Sequence, residues 1–184
     1  SIPSRIAMLM GLPTADVEKV IYFAGYIITS VNEDERNRIL RDLDSEFKSK
    51  VKSLMDDKSK EKMKELLTAA KKEVGDIEIG LVVDEVTYHR YSMKFSTLFE
   101  AGIGAEAIYN IFKKIDLKKL AEGLEKDLEK AGSLEREKLN RRLSTVRSMI
   151  VSGVRPEWMF MTHVPIIPPG LRPMVALEGG RHAT

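Results

Sequence analysis

The stretch that decides the fold is Asp116-Leu-Lys-Lys-Leu-Ala-Glu-Gly-Leu-Glu-Lys-Asp-Leu-Glu-Lys-Ala-Gly-Ser-Leu-Glu-Arg-Glu-Lys-Leu-Asn-Arg-Arg-Leu-Ser-Thr-Val-Arg-Ser-Met-Ile-Val-Ser-Gly153. Apolar residues return at steps of three and four: Leu117, Leu120, Leu124 and Leu128, then Leu139, Leu143, Val146 and Ile150. That spacing draws an apolar stripe along a helix. Asp116 and Ser133 are N-caps by type, and Gly132 and Gly153 are stops. Two helices joined so briefly fold back on each other. An antiparallel helical hairpin over 116–153 is therefore predicted.

A second hairpin is predicted upstream, over 33–73. Asn32 and Glu35 have the spacing of a capping box. Ile39, Leu40, Leu43, Phe47, Val51, Leu54 and Met55 then form a narrow seam with charged flanks. Asp56-Asp57-Lys58 is the expected turn, and Met63, Leu66, Leu67, Ala70 and Val74 belong to the return helix. One long kinked helix is the alternative. Acidic and basic residues nearly balance here, so the hairpin reads as a solvated arm, with partner docking as the other reading.

Around the hairpins the signals are shorter. Ile2 to Leu12 predicts a helix carrying Ile6, Met8, Leu9 and Met10, stopped by Gly11 and Pro13. Thr14 is the expected cap of a helix to about Phe23, with Val17, Val20 and Ile21 on one face, broken by Gly25. Tyr26 to Val31 is β-branched and aromatic and predicts a strand. Gly75 to Val83 reads as a connector or short strand. Asp84 caps a helix to about Met93, with Phe95, Leu98 and Phe99 in the core. Gly102-Ile-Gly104 is a turn, and Ala105 to Ile115 a helix burying Ile108, Ile111 and Phe112. The predicted fold class is mainly α with a few short strands (α+β): two antiparallel helical hairpins on a small core.

Composition sets limits. The 184 residues are 43% hydrophobic and 32% charged, with a net charge of +2 and no cysteine. This fits one soluble domain with a helical appendage and excludes disulfides and Cys-based zinc sites within this stretch. A near-neutral surface does not bind nucleic acid wholesale, although local basic loops can. No apolar run reaches the roughly 20 residues needed to span a bilayer. Ser1 is not an initiator Met, and Ala183-Thr184 follows a Gly-Gly-Arg loop with no closing element, so both ends read as cuts in a longer protein.

The last thirty residues differ in kind. Five of the seven prolines lie between Pro156 and Pro173, which rules out a long helix. Trp158 to Val164 reads as a short strand, with Trp158 and its neighbouring methionines in the core. Pro168-Pro169-Gly170 begins a stiff loop carrying Arg172, followed by Glu178-Gly-Gly-Arg181. Glycines beside a cation let backbone approach a phosphate, although Gly-Gly before Arg is commonly just a turn. His89, His163 and His182 share no context and suggest no metal site.

The tail residues resemble a known family. Arg155-Pro-Glu-Trp-Met, Val164-Pro-Ile-Ile-Pro-Pro-Gly-Leu-Arg-Pro-Met-Val and Leu177-Glu-Gly-Gly-Arg-His-Ala-Thr184 look like segments of the bacterial RNA polymerase β′ subunits. Pro3-Ser-Arg-Ile, Asp16-Val-Glu-Lys-Val-Ile-Tyr-Phe, Gly104-Ala-Glu-Ala-Ile108 and Ser152-Gly153 follow the same order. The likeness is weak only over about 32–80. It implies a piece of the clamp in DNA-templated transcription. Residues 1–32, 74–115 and 154–184 would form the clamp core, with 33–73 a variable hairpin and 116–153 a second one.

The family's lid, a loop at the upstream edge of the RNA–DNA hybrid, would lie within Pro168 to Arg181. Its nucleic-acid-facing residues would be Leu171, Arg172, Met174, Val175, Gly179, Gly180 and Arg181. Glu178 and His182 depart from the family's Asp and Phe. The resemblance implies no catalytic residue and no cofactor in this fragment, although the whole subunit belongs to a nucleotidyltransferase that uses Mg²⁺ and binds Zn²⁺ elsewhere. The implied partners are the polymerase β, α and ω subunits, a sigma factor, template DNA and transcript, with no membrane, in the cytoplasm. A free-standing helical interaction module is the alternative.

Overall fold

The computed structural model describes residues 1–162, 175–177 and 181–183. Among them the helices are α1 (Ile2–Met10), α2 (Thr14–Ile21), α3 (Glu33–Val51), α4 (Asp57–Asp76), α5 (Glu85–Lys94), α6 (Ala105–Phe112), α7 (Leu117–Lys130), α8 (Ser133–Ser152) and α9 (Trp158–Thr162). The strands are β1 (Tyr26–Val31), β2 (Val82–Val83), β3 (Phe99–Gly102), β4 (Val175–Leu177) and β5 (Arg181–Ala183). The class is mainly α with a few short strands, as the periodicity predicts.

β1 is the middle strand of a three-stranded antiparallel sheet in the order β2-β1-β3. Ile27 pairs with Val82 on one side and Gly102 on the other. The register shifts between Ile28 and Ser30, where the Thr29 hydroxyl donates to the Glu100 carbonyl at 3.3 Å. Alternation along a strand sends neighbouring side chains to opposite faces, and β1 accordingly divides two cores. Ile27 joins the larger one with α1, α2, α6, α7, α8 and Phe160. Ile28 joins the smaller one with Val74, Ile77, Tyr91 and Leu98.

Both hairpins are present. α7 and α8 bury Leu117, Ala121, Leu124, Leu139, Leu143, Val146 and Met149. The seam of α3 and α4 is only partly buried, with Leu66 and Met55 exposed. Met55 therefore leaves the predicted seam and sits at the tip. The turn precedes Asp57, because Asp56 caps α4 by accepting from the Lys58 and Ser59 amides.

Several local expectations are corrected. Pro13, not Thr14, occupies the N-cap of α2; its fixed φ suits the entry to a helix. Gly132, not Ser133, is the N-cap of α8, and Ala131 ends α7. Only half of the predicted capping box forms: Asn32 Oδ1 accepts from the Glu35 amide at 3.1 Å, while the Glu35 carboxylate turns to Arg38 and Thr97. Phe99 to Gly102 is a strand that the sequence reading passed over. Trp158 to Thr162 is a helical turn, not a strand, and Trp158 is 50% exposed. The buried aromatic there is Phe160.

Gly11 shows why α1 ends where it does. It has φ +71, a left-handed conformation that L side chains rarely adopt. A Cβ at Gly11 would lie 2.7 Å from the Arg142 guanidinium. That guanidinium donates from Nη2 to the Leu9 carbonyl at 2.9 Å, tying α8 to the end of α1. Burial pushes the Arg142 pKa down.

Candidate nucleic-acid interface

The proline-rich tail is preceded by a short, well-held root. Gly153 ends α8 in the left-handed conformation. The Arg155 guanidinium then reaches back, donating from Nη2 to the carbonyls of Ile115 at 2.8 Å and Phe112 at 3.4 Å. The last carbonyls of a helix lack intrahelical partners, so Arg155 satisfies the end of α6 and fixes the chain direction. Glu157 accepts from Arg155 Nε at 3.2 Å. The amides of Trp158, Met159 and Phe160 each bond three residues back, to Arg155, Pro156 and Glu157.

These turns aim Phe160 into the larger core, where it is 1% exposed. Its ring meets Phe112 at 5.6 Å and Tyr109 at 6.0 Å, both edge-on, the geometry that aromatic quadrupoles favour. Held by a guanidinium on one side and a buried ring on the other, the root gives the tail a defined starting point.

Beside the root lies a shallow cavity of about 560 Å³, lined by Lys113, Lys114, Lys118 and Arg155 with Asp116 and the apolar Ile150 and Val154. Lys113 Nζ also sits 5.5 Å from the Tyr109 ring centre. Three lysines line this hollow beside Asp116, while the charge of Arg155 is paired with Glu157, so the lining is locally basic on a nearly neutral chain. Such a surface attracts phosphate. The sequence reading missed it. Lys113-Lys114 was the visible signal, but Arg155 is distant in sequence and joins it only through the fold.

Further along the tail, β4 and β5 pair antiparallel, with Val175 opposite Ala183, Ala176 opposite His182 and Leu177 opposite Arg181. Arg181, expected in an open loop, thus lies in a strand, and β5 is a pairing element where none was expected. Of the seven residues expected to face nucleic acid, Val175 is in β4 and Arg181 in β5. Leu171, Arg172, Met174, Gly179 and Gly180 lie outside the described residues. Among the described residues, no group of three or more His, Asp or Glu side chains is placed to hold a metal ion. No helix among them is long and apolar enough to cross a membrane.

Known proteins extend the likeness along the whole chain. A family model described as RNA polymerase Rpb1, domain 1 matches residues 8–184. The DNA-directed RNA polymerase subunit beta' of Dehalococcoides mccartyi (strain CBDB1) is 32% identical over 209 residues, covering 100% of this chain and 16% of its own length. The subunit of that name from Fusobacterium nucleatum subsp. nucleatum is 34% identical, covering 99% of this chain and 11% of its own. That of Buchnera aphidicola subsp. Cinara cedri is 35% identical, covering 100% of this chain and 10% of its own. The chain thus spans roughly a tenth to a sixth of these relatives. With the family model matched from residue 8 to residue 184 and beta' relatives aligned along its length, the chain belongs to the RNA polymerase Rpb1, domain 1 family.

Proposed function

We propose that this chain is a clamp segment of a multisubunit DNA-directed RNA polymerase, serving transcription as scaffold and as the carrier of a lid. The observation that carries the reading is the relationship to beta' subunits over all of the chain, the tail included. The free-standing interaction module has no comparable support. In this reading residues 1–32, 74–115 and 154–184 form the clamp core, 33–73 is a variable arm, 116–153 is a second hairpin, and 168–184 holds the lid.

The lid would stand at the upstream edge of the RNA–DNA hybrid. Leu171, Met174 and Val175 offer apolar surface to an unstacking base pair, Arg172 and Arg181 offset phosphate charge, and Gly179 and Gly180 allow close backbone approach. The held root supports this role, because a wedge acts only if its base does not yield. The segment contributes no catalytic group. Mg²⁺ and Zn²⁺ would be held by other parts of the subunit, and the β, α and ω subunits, sigma factor, template DNA and transcript would be partners of the whole cytoplasmic enzyme.

The test is deletion of Pro169 to Glu178 in the assembled polymerase. The expected result is a hybrid extended at its upstream end and impaired transcript release. Unchanged hybrid length and release would overturn the lid assignment.

A further inference from the structure

The arm formed by α3 and α4 is electrically divided along its length. Its root is acidic, with six carboxylates on α3 between Glu33 and Glu46 against the three arginines Arg36, Arg38 and Arg41. Its tip, residues 48–64, carries seven lysines against three carboxylates. Lys50 pairs with Glu46 at 2.6 Å. Lys48, Lys52, Lys58, Lys60, Lys62 and Lys64 are exposed, and none has an ion-pair partner among the described residues.

The tip also stands away from the body. Ile39, Leu40 and Leu43 pack on the smaller core, while Phe47 and Val51 lie farther along a helix of 19 residues, about 28 Å long at 1.5 Å per residue, and Leu54 lies beyond its end.

Helix stability accounts for Lys48 and Lys50, which lie in the last turn of α3 where the dipole favours cations, but not for the lysines of α4. Lys58 and Lys60 sit in the first turn of α4, where the helix dipole disfavours cations, and Lys62 and Lys64 follow in the next turn. Lys58 with Lys62, and Lys60 with Lys64, are like charges four residues apart, which repel. Lysines held there against local preference, and left without partners, point to an external anion.

We infer that the tip of this arm binds the phosphate backbone of duplex DNA without reading its sequence. The choice of nucleic acid over an acidic protein rests on residue type. Every cation of the tip is lysine, and no arginine occurs between Arg41 and Arg90. Protein interfaces are enriched in arginine and aromatics and depleted in lysine, and residues 48–64 contain no aromatic residue. Lysines distributed over the ends of two helices suit a diffuse phosphate field, in which point charges on flexible stems need no fixed pairing. The inference rests on the polymerase reading proposed above, because it presumes DNA beside the arm.

The experiment uses assembled polymerase carrying Lys58→Gln, Lys60→Gln, Lys62→Gln and Lys64→Gln together, with its affinity for a duplex DNA fragment measured across a potassium chloride series. The slope of log affinity against log salt should become shallower by about 0.9 for each lysine that contacts phosphate. Lys71→Gln with Lys72→Gln, nearer the acidic root, should leave the slope unchanged. An unchanged slope in the four-lysine variant would overturn the inference. So would an equal effect from the Lys71/Lys72 variant, which would mark bulk charge alone. Loss of a protein component from the variant, with the slope preserved, would overturn it in favour of protein docking. Failure of the unmutated chain to support assembly and RNA synthesis would instead defeat the polymerase reading, whereas an active enzyme with an unchanged slope defeats only the inference about the tip.

Discussion

Glu35 shows how one residue can serve a different purpose from its sequence pattern. Its position three after Asn32 predicts a reciprocal cap. In the fold its carboxylate instead accepts from Arg38 and from the Thr97 hydroxyl, the latter at 2.8 Å. Thr97 is remote in sequence, so no local pattern announces it. The Arg38 bonds, followed by the Thr97 bond, pull the Glu35 pKa down to about 2. Protonation is therefore resisted more in the folded chain than in the unfolded one. This stabilisation is complete above the unfolded value near 4.5 and disappears as pH falls through about 2. An NMR titration of the carboxyl carbons should find the Glu35 midpoint near 2, moving upward in Thr97→Val. A midpoint near 4.5 in the unaltered chain would contradict the arrangement.

Among the elements, the hairpins were legible because long periodic stripes admit one reading. Leu117 to Ile150 repeats too often at helical spacing to be a strand. Short apolar runs lack that redundancy. Trp158 to Thr162 has the composition of a strand, but it becomes a helical turn, since only that bend returns Phe160 to Phe112 and Tyr109 while Arg155 holds Ile115. β3 was missed because Phe99-Glu-Ala-Gly102 shows too little alternation and depends on β1 for its pairing. Arg36 was hidden in a charged helix. It is 7% exposed and donates to the carbonyls of Val74 at 2.6 Å and Ile77 at 2.7 Å, with Glu33 and Glu78 also in reach. It closes the root of the α3–α4 arm by satisfying the end of α4. Arg36→Met should leave two buried carbonyls without this donor and destabilise the chain by about 3 kcal/mol, since each orphaned group costs about 1–3 kcal/mol. Urea unfolding would measure the loss. A change below about 0.5 kcal/mol, the range of ordinary surface substitutions, would show that the root is closed some other way.

Across the whole molecule, β1 separates two cores. The arm is rooted on the smaller core, and the residues that precede the tail are anchored to the larger one through Phe160, with Arg155 holding the end of α6. The tail's composition made it conspicuous in the sequence, but the cationic hollow of Lys113, Lys114, Lys118 and Arg155 needed the fold, because its members come together only when α6, α7 and the tail root meet. As a lid, the tail proposed above would face nucleic acid inside a polymerase. Its most direct test places a photoreactive amino acid at Leu171 of the complete subunit and irradiates a transcription complex stalled on a defined template. The expected result is crosslinks to transcript and template at the upstream end of the hybrid. Crosslinks confined to protein, or to nucleic acid away from that end, would contradict it.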